Sequence, residues 1–114
     1  MVPLAELKPG QAIWVDHYGT HPAVVLEGGA DAVLVIVGTS QRKEDKHEVC
    51  IAPNSAAAML LGLSLRTYFY PRNVCFVRDS AAVKSVRPRR CPLREFHALE
   101  TLAAIAASRR IAKK

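Results

Sequence analysis

The densest run of chemistry-bearing residues in this chain lies between positions 20 and 41. Thr-His-Pro-Ala-Val-Val-Leu-Glu is followed by a Gly-Gly turn and then by Val-Leu-Val-Ile-Val, which stops at Gly38, Thr39, Ser40 and Gln41. Two hydroxyls and a carboxamide at the end of an otherwise apolar strand are suited to holding a phosphate or a base. A strand fixes side chains more tightly than a loop does, and a functional site needs that definition. The competing reading is that Thr39 and Ser40 end the strand by hydrogen-bonding the backbone. Slightly upstream, His17 and Tyr18 fall on a short loop with Gly19, where an unpaired base can stack. Tyr18 has its own plainer reading, as a loop aromatic closing the end of a barrel.

The elements that must position these residues can be read from pattern. Leu7-Lys8-Pro9-Gly10 is a turn signal, and Gln11 to Asp16 follows as a strand with Ile13 and Val15 on one face, Trp14 and Asp16 on the other. Pro22 to Glu27 reads as a second strand, with Pro at its start where a missing N–H matters least. Gly28 to Asp31 makes the turn. Ala32 to Val37 is apolar throughout, so it is expected to be covered on both faces. Ser40 to Lys46 reads as a charged loop and His47 to Ala52 as a fourth strand. Pro53 to Gly62 reads as a short helix, capped by Asn54 or Ser55 and ended by Gly62. Thr67 to Tyr70 is rich in β-formers and is expected to break at Pro71, with Val74 to Arg78 as another strand. Val86 to Pro92 cannot be helical. From Pro92 a final helix is expected to run to about Ala112, with Leu93, Phe96, Leu99, Leu102, Ala103 and Ala106 as its apolar stripe. Five or six short strands with two helices imply a small, strongly bent antiparallel sheet or half-open barrel.

Charge is unevenly spread. The formal net charge is +6, but residues 66 to 94 carry seven arginines and Lys84 against one acid, Asp79, and the end of the chain adds Arg109, Arg110, Lys113 and Lys114. The remainder is acidic. Such a basic half suits a polyanion or an acidic protein, and the ten arginines against six lysines favour bidentate phosphate contacts; a solvated, solubilising face is the plainer alternative. At 114 residues the chain is expected to form one domain, 1–114. No apolar run approaches the ~20 residues that span a bilayer, and Met1 to Lys8 lacks the charged and apolar regions of a signal peptide. Cys50, Cys75 and Cys91 are odd in number and widely spaced, which points away from a disulfide framework and towards a reducing cytoplasm. His47 and Cys50 have no second pair at ligand spacing, so no metal and no cofactor is expected.

Taken in order, several of these pieces resemble the MazF/PemK family of toxin ribonucleases, whose SH3-like barrel is shared with CcdB-like gyrase poisons. Pro9-Gly10-Gln11-Ala-Ile-Trp-Val-Asp16 resembles the family's opening strand, His21-Pro-Ala-Val-Val-Leu26 its second strand, and Val35-Ile-Val-Gly-Thr-Ser40 the strand that ends in a hydroxyl pair. Gly62-Leu63 followed by Thr67-Tyr68 resembles the segment after the small helix, and the last helix lies where the family has one. The resemblance implies a small, SH3-like, half-open antiparallel β-barrel with a short helix and a C-terminal helix. It implies metal-independent cleavage of single-stranded RNA by 2′-OH attack, an acidic antitoxin as protein partner, and a homodimer.

The family places an arginine where this chain has His21. Histidine can move a proton near neutrality but cannot give arginine's permanent charge and bidentate fork. The catalytic set implied is His21, Thr39, Ser40 and Arg66, with Arg66 as the replacement cation. His17, Tyr18, Gln41, Thr67 and Arg72 are the implied RNA contacts. Each has a structural alternative: His21 as a strand-start residue, Arg66 as a solvated loop arginine. Tyr68, Phe69 and Tyr70 read as strand packing or dimer interface, and His97 as structural. Two further functions stay open: a non-catalytic RNA-binding module, and a CcdB-like inhibitor of a protein target.

Overall fold

The computed structural model describes residues 2–112. Its six strands form one antiparallel sheet: β1 (Gln11–Asp16), β2 (Thr20–Glu27), β3 (Val33–Thr39), β4 (Val49–Ile51), β5 (Thr67–Val77) and β6 (Val83–Arg90). The order across the sheet is β4-β5-β3-β2-β1-β6. With β4 and β6 left as edges, the sheet bends into a half-open barrel. Helix α1 (Ala56–Leu61) and helix α2 (Leu93–Ala112) complete it. Among the described residues no helix is long and apolar enough to cross a membrane.

Each face of the sheet buries its own core. Leu34 and Ile36 of β3 turn to a cluster that includes Ala58 and Leu61 of α1, Phe69 of β5, and Leu99, Leu102 and Ala106 of α2. Val33, Val35 and Val37 turn the other way, onto Ile13, Val15, Val25 and Val77, where Leu4 and Leu7 close the cluster. Thus β3 is covered on both sides, as its uninterrupted apolar run predicts. Leu99 is fully buried, and burying such a side chain contributes about 1.5–3 kcal/mol. Leu93, placed in the predicted stripe, instead lies exposed at the start of α2.

Local signals account for both helices. Ser55 rather than Asn54 caps α1: its Oγ accepts from the Ala58 N–H at 3.1 Å. Gly62 ends the helix at φ 72°, a left-handed conformation that glycine adopts without strain. Pro92 sits one residue before α2, and Arg109 and Arg110 occupy its last turn, where cations suit the helix dipole.

Two expectations are corrected. Pro71 does not break a strand. Residues 67 to 77 form one strand, because the ladder between β3 and β5 jumps from Ile36↔Val74 to Gly38↔Phe69. The extra β5 residues form a bulge, and Pro71 lies within it, where its missing N–H leaves no rung unmade. The second correction is β6, which pairs with β1 although the sequence suggests only a non-helical segment. None of its residues is fully buried. Its charges and Pro88 are the features that keep an edge strand from pairing further, and they erase the alternation by which a strand is read.

Candidate functional site

The ladder between β2 and β3 ends early. Its last rung at this end is Ala23↔Val37. Beyond it β3 keeps pairing with β5, through Gly38↔Phe69 and Thr39↔Tyr68. The first residues of β2 keep pairing with β1, through Trp14↔Pro22, Val15↔His21 and Asp16↔Thr20. The two strands therefore follow different neighbours and part. Gly38 makes the close side of this fork possible: a Cβ there would fall 2.6 Å from Thr67 Cγ2 and 3.0 Å from the Phe69 ring. Pro22 sits where β2 has no β3 partner, so its missing N–H is tolerated.

A cleft of about 210 Å³ occupies the fork. Trp14, Thr20, His21 and Pro22 form one wall, Ser40 and Thr67 another, and Leu63, Ser64 and Leu65 of the α1–β5 loop close it. Residues distant in sequence thus converge: His21, Ser40 and Thr67 share one space. The Thr67 hydroxyl is already committed, donating to the Leu65 carbonyl at 3.0 Å and fixing the loop. The side chains of His21 and Ser40 make no hydrogen bond in the described structure. The side chains of Trp14, Thr20 and Ser64 are likewise uncommitted, and His21 is the cleft's one titratable lining side chain among the described residues.

The other expected residues lie elsewhere. Thr39 does not line the cleft; its Oγ1 accepts from the Gln41 N–H at 3.1 Å, the strand-ending bond of its alternative reading. Gln41 is exposed and accepts from Lys43 Nζ at 3.3 Å. Arg66 is exposed and reaches Cys50 Sγ at 3.7 Å. His17 and Tyr18 stack edge to face, 5.1 Å between centroids. Tyr18 is 97% exposed at φ 54°, and His17 borders a separate cavity with Phe76, Arg78 and Asp79. Arg72 stands with Asp45 and Arg109, at the far end of the β3–β4 loop.

Trp14, Ser64 and Leu65 were not singled out from sequence. Trp14 carried a signal, as the one outward-facing aromatic of β1. Arg87 is a further cation near the cleft: its guanidinium lies over Gly62, where a Cβ would fall 2.5 Å from Arg87 Cζ, and its Nε is buried without a partner. The cysteines offer no second nucleophile at the cleft. Burial pushes the Cys91 thiol up to about 12 and raises that of Cys75, and Cys50 lies on β4. Among the described residues no three His, Cys, Asp or Glu side chains are grouped to hold a metal ion.

No family model and no curated protein matches the chain. Among solved structures it is similar to an endoribonuclease in complex with its cognate antitoxin from mycobacterial species. The TM-score is 0.65 at 17% identity, over 89% of this chain and 94% of that one. That likeness establishes a shared fold: an antiparallel β half-barrel of six strands with a short helix and a C-terminal helix.

Proposed function

We propose that the protein is an endoribonuclease toxin that cleaves single-stranded RNA without a metal. The observation that carries this reading is the meeting of His21, Ser40 and Thr67 in one cleft at the β2–β3 fork, on a fold shared with an endoribonuclease. In the reaction the ribose 2′-oxygen bonds to the adjacent phosphorus and the bond to the 5′-oxygen breaks. The products are a 2′,3′-cyclic phosphate and a free 5′-hydroxyl. One proton must leave the 2′-OH and one must reach the 5′-oxygen. His21 handles one of these transfers. The Ser40 hydroxyl, free of other partners, donates to a phosphoryl oxygen as charge builds there. Trp14, Pro22 and Leu65 give an apolar wall for the neighbouring base. By the same reasoning the natural inhibitor is an acidic antitoxin, and the active form is a homodimer acting in the cytoplasm.

The test is cleavage of a single-stranded RNA by purified protein in EDTA. Cleavage that survives chelation and yields cyclic phosphate ends supports the proposal. Activity lost in EDTA and restored by Mg²⁺ or Mn²⁺ overturns the metal-free mechanism. A second reading, RNA binding without cleavage, is favoured by one specific observation: no arginine lines the cleft to neutralise a phosphorane. RNA retention with intact strands after prolonged incubation would select that reading.

A further inference from the structure

At the other end of the β3–β4 loop, the last turns of α2 lie against β5 and leave a cavity of about 270 Å³. Pro71, Arg72 and Val74 line it from β5; Ala106, Arg109 and Arg110 line it from α2. Every charged residue on its wall is an arginine. Proline contributes no N–H, and the Val74 carbonyl accepts from Arg110 Nη2 at 3.4 Å. Ala106 adds only a methyl group to the wall.

The positive charge there is only partly met. Asp45 accepts from both terminal nitrogens of Arg109 at 3.1 Å, but Arg72 Nη2 stands 3.8 Å away, an ion pair without a hydrogen bond. Arg72 donates instead to the Glu44 backbone carbonyl, a neutral acceptor. Arg110 has no carboxylate partner in the described structure. Three guanidinium groups line the cavity and one carboxylate meets two of them, which leaves two positive charges uncompensated. Asp45 itself does not line the cavity, and the side chains of Arg72 and Arg109 keep 50% and 41% of their exposure. The donors are held in place yet remain reachable.

We propose that this cavity binds a phosphate group carrying two negative charges. At neutral pH a phosphomonoester carries about −1.5 to −2, which matches the uncompensated charge. Its oxygens match the forked donors of arginine. A single carboxylate would leave one charge unmet. A cavity of this size, below the ~300 Å³ of typical ligand pockets, suits a phosphate with little attached to it. The site is separate from the cleft at His21 and requires no cleavage activity.

Full-length protein titrated with inorganic phosphate, followed by NMR of the arginine Nε–Hε signals, tests it. Signals of Arg72, Arg109 and Arg110 should move while the His21 imidazole signals stay still. Arg110→Ala, at an exposed position, should lower affinity roughly 10- to 100-fold, and Arg72→Gln should do the same if Arg110→Ala proves unstable. Asp45→Asn removes the competing carboxylate and should tighten binding. A 5′-phosphorylated dinucleotide binding more tightly than inorganic phosphate and than its 5′-hydroxyl counterpart would assign the phosphate to a strand end. Equal affinity to inorganic phosphate would assign it to the free ion. Unmoved arginine signals, unchanged affinity in the variants, or tighter binding of a glutamate-rich peptide would overturn the proposal.

Discussion

The two ends of the β3–β4 loop, one at Ser40 and one at Asp45 to Glu48, treat polar groups in opposite ways. At the far end the carboxylates of Asp45 and Glu48 and the Tyr70 hydroxyl are used to hold structure. Asp45 clamps Arg109, and its second oxygen also faces Arg72. The Tyr70 hydroxyl donates to Glu48 Oε2 at 2.8 Å and accepts from the Lys43 N–H at 2.7 Å. At the near end His21 and Ser40 stand in a cleft with no partner. Polar groups with no protein partner in a concave site are available for a ligand. The comparison teaches that the charged loop is an anchor at one end and a site wall at the other.

The sharpest way to break the comparison is at His21. His21→Ala should leave the fold intact and reduce RNA cleavage by about 10²–10⁴-fold. The wild-type rate should depend on pH, because a proton is moved by an imidazole. His21→Arg should keep RNA binding and lose that pH dependence, since guanidinium stays charged throughout. Full activity in His21→Ala would make His21 a strand-start residue and remove the chemical half of the contrast.

The second largest effect belongs to the anchor. Asp45→Ala should lower unfolding stability by about 1–3 kcal/mol, read from urea denaturation, without changing the pH profile of cleavage. The Arg109 guanidinium, hydrogen-bonded to Asp45, holds its carboxyl down to about 2, aided by the His47 N–H. A carboxyl whose folded pKa is depressed stabilises the fold above its unfolded pKa, ordinarily about 3.9. That contribution is lost as pH falls from about 4 towards 2. Wild type and Asp45→Asn should therefore differ in stability at neutral pH and converge only as pH falls to about 2 and below. A difference that stays constant with pH would show that the clamp carries no linked proton.

How far the sequence carried this picture depended on whether each signal was local. Ser55 and Gly62 bracket α1 because caps act within a turn, and the run from Val33 to Val37 announces burial on both faces. Pro71 misled because a bulge is decided by the partner strand, here the jump from Ile36↔Val74 to Gly38↔Phe69. β6 was hidden because an edge strand is built to look unlike a strand. At the site, His21, Ser40 and Thr67 were each legible as types, but their meeting depends on where the β2–β3 ladder stops, which no window of residues encodes. Arg66 and Arg72 were chosen for charge, and charge alone does not say which end of a loop a side chain serves.

The smallest effects separate two neighbours that look alike in sequence. Thr39 and Ser40 are adjacent hydroxyls, yet one is engaged and the other free. The Thr39 oxygen accepts the Gln41 N–H and so ends β3. Thr39→Val keeps the shape but leaves that N–H to solvent, and should cost about 0.5–1.5 kcal/mol of stability with little loss in the rate of the folded fraction. Ser40 makes no such bond, is exposed, and borders the cleft. Ser40→Ala should therefore leave the urea midpoint where it is and lower the cleavage rate without moving the pH profile, because a serine hydroxyl does not titrate in this range. Measuring both quantities for both variants gives a crossed pattern: stability falls for one, rate for the other. If the pattern reverses, Thr39 is the phosphate donor, Ser40 is the strand terminator in solution, and the division of the loop into anchor and site must move by one residue.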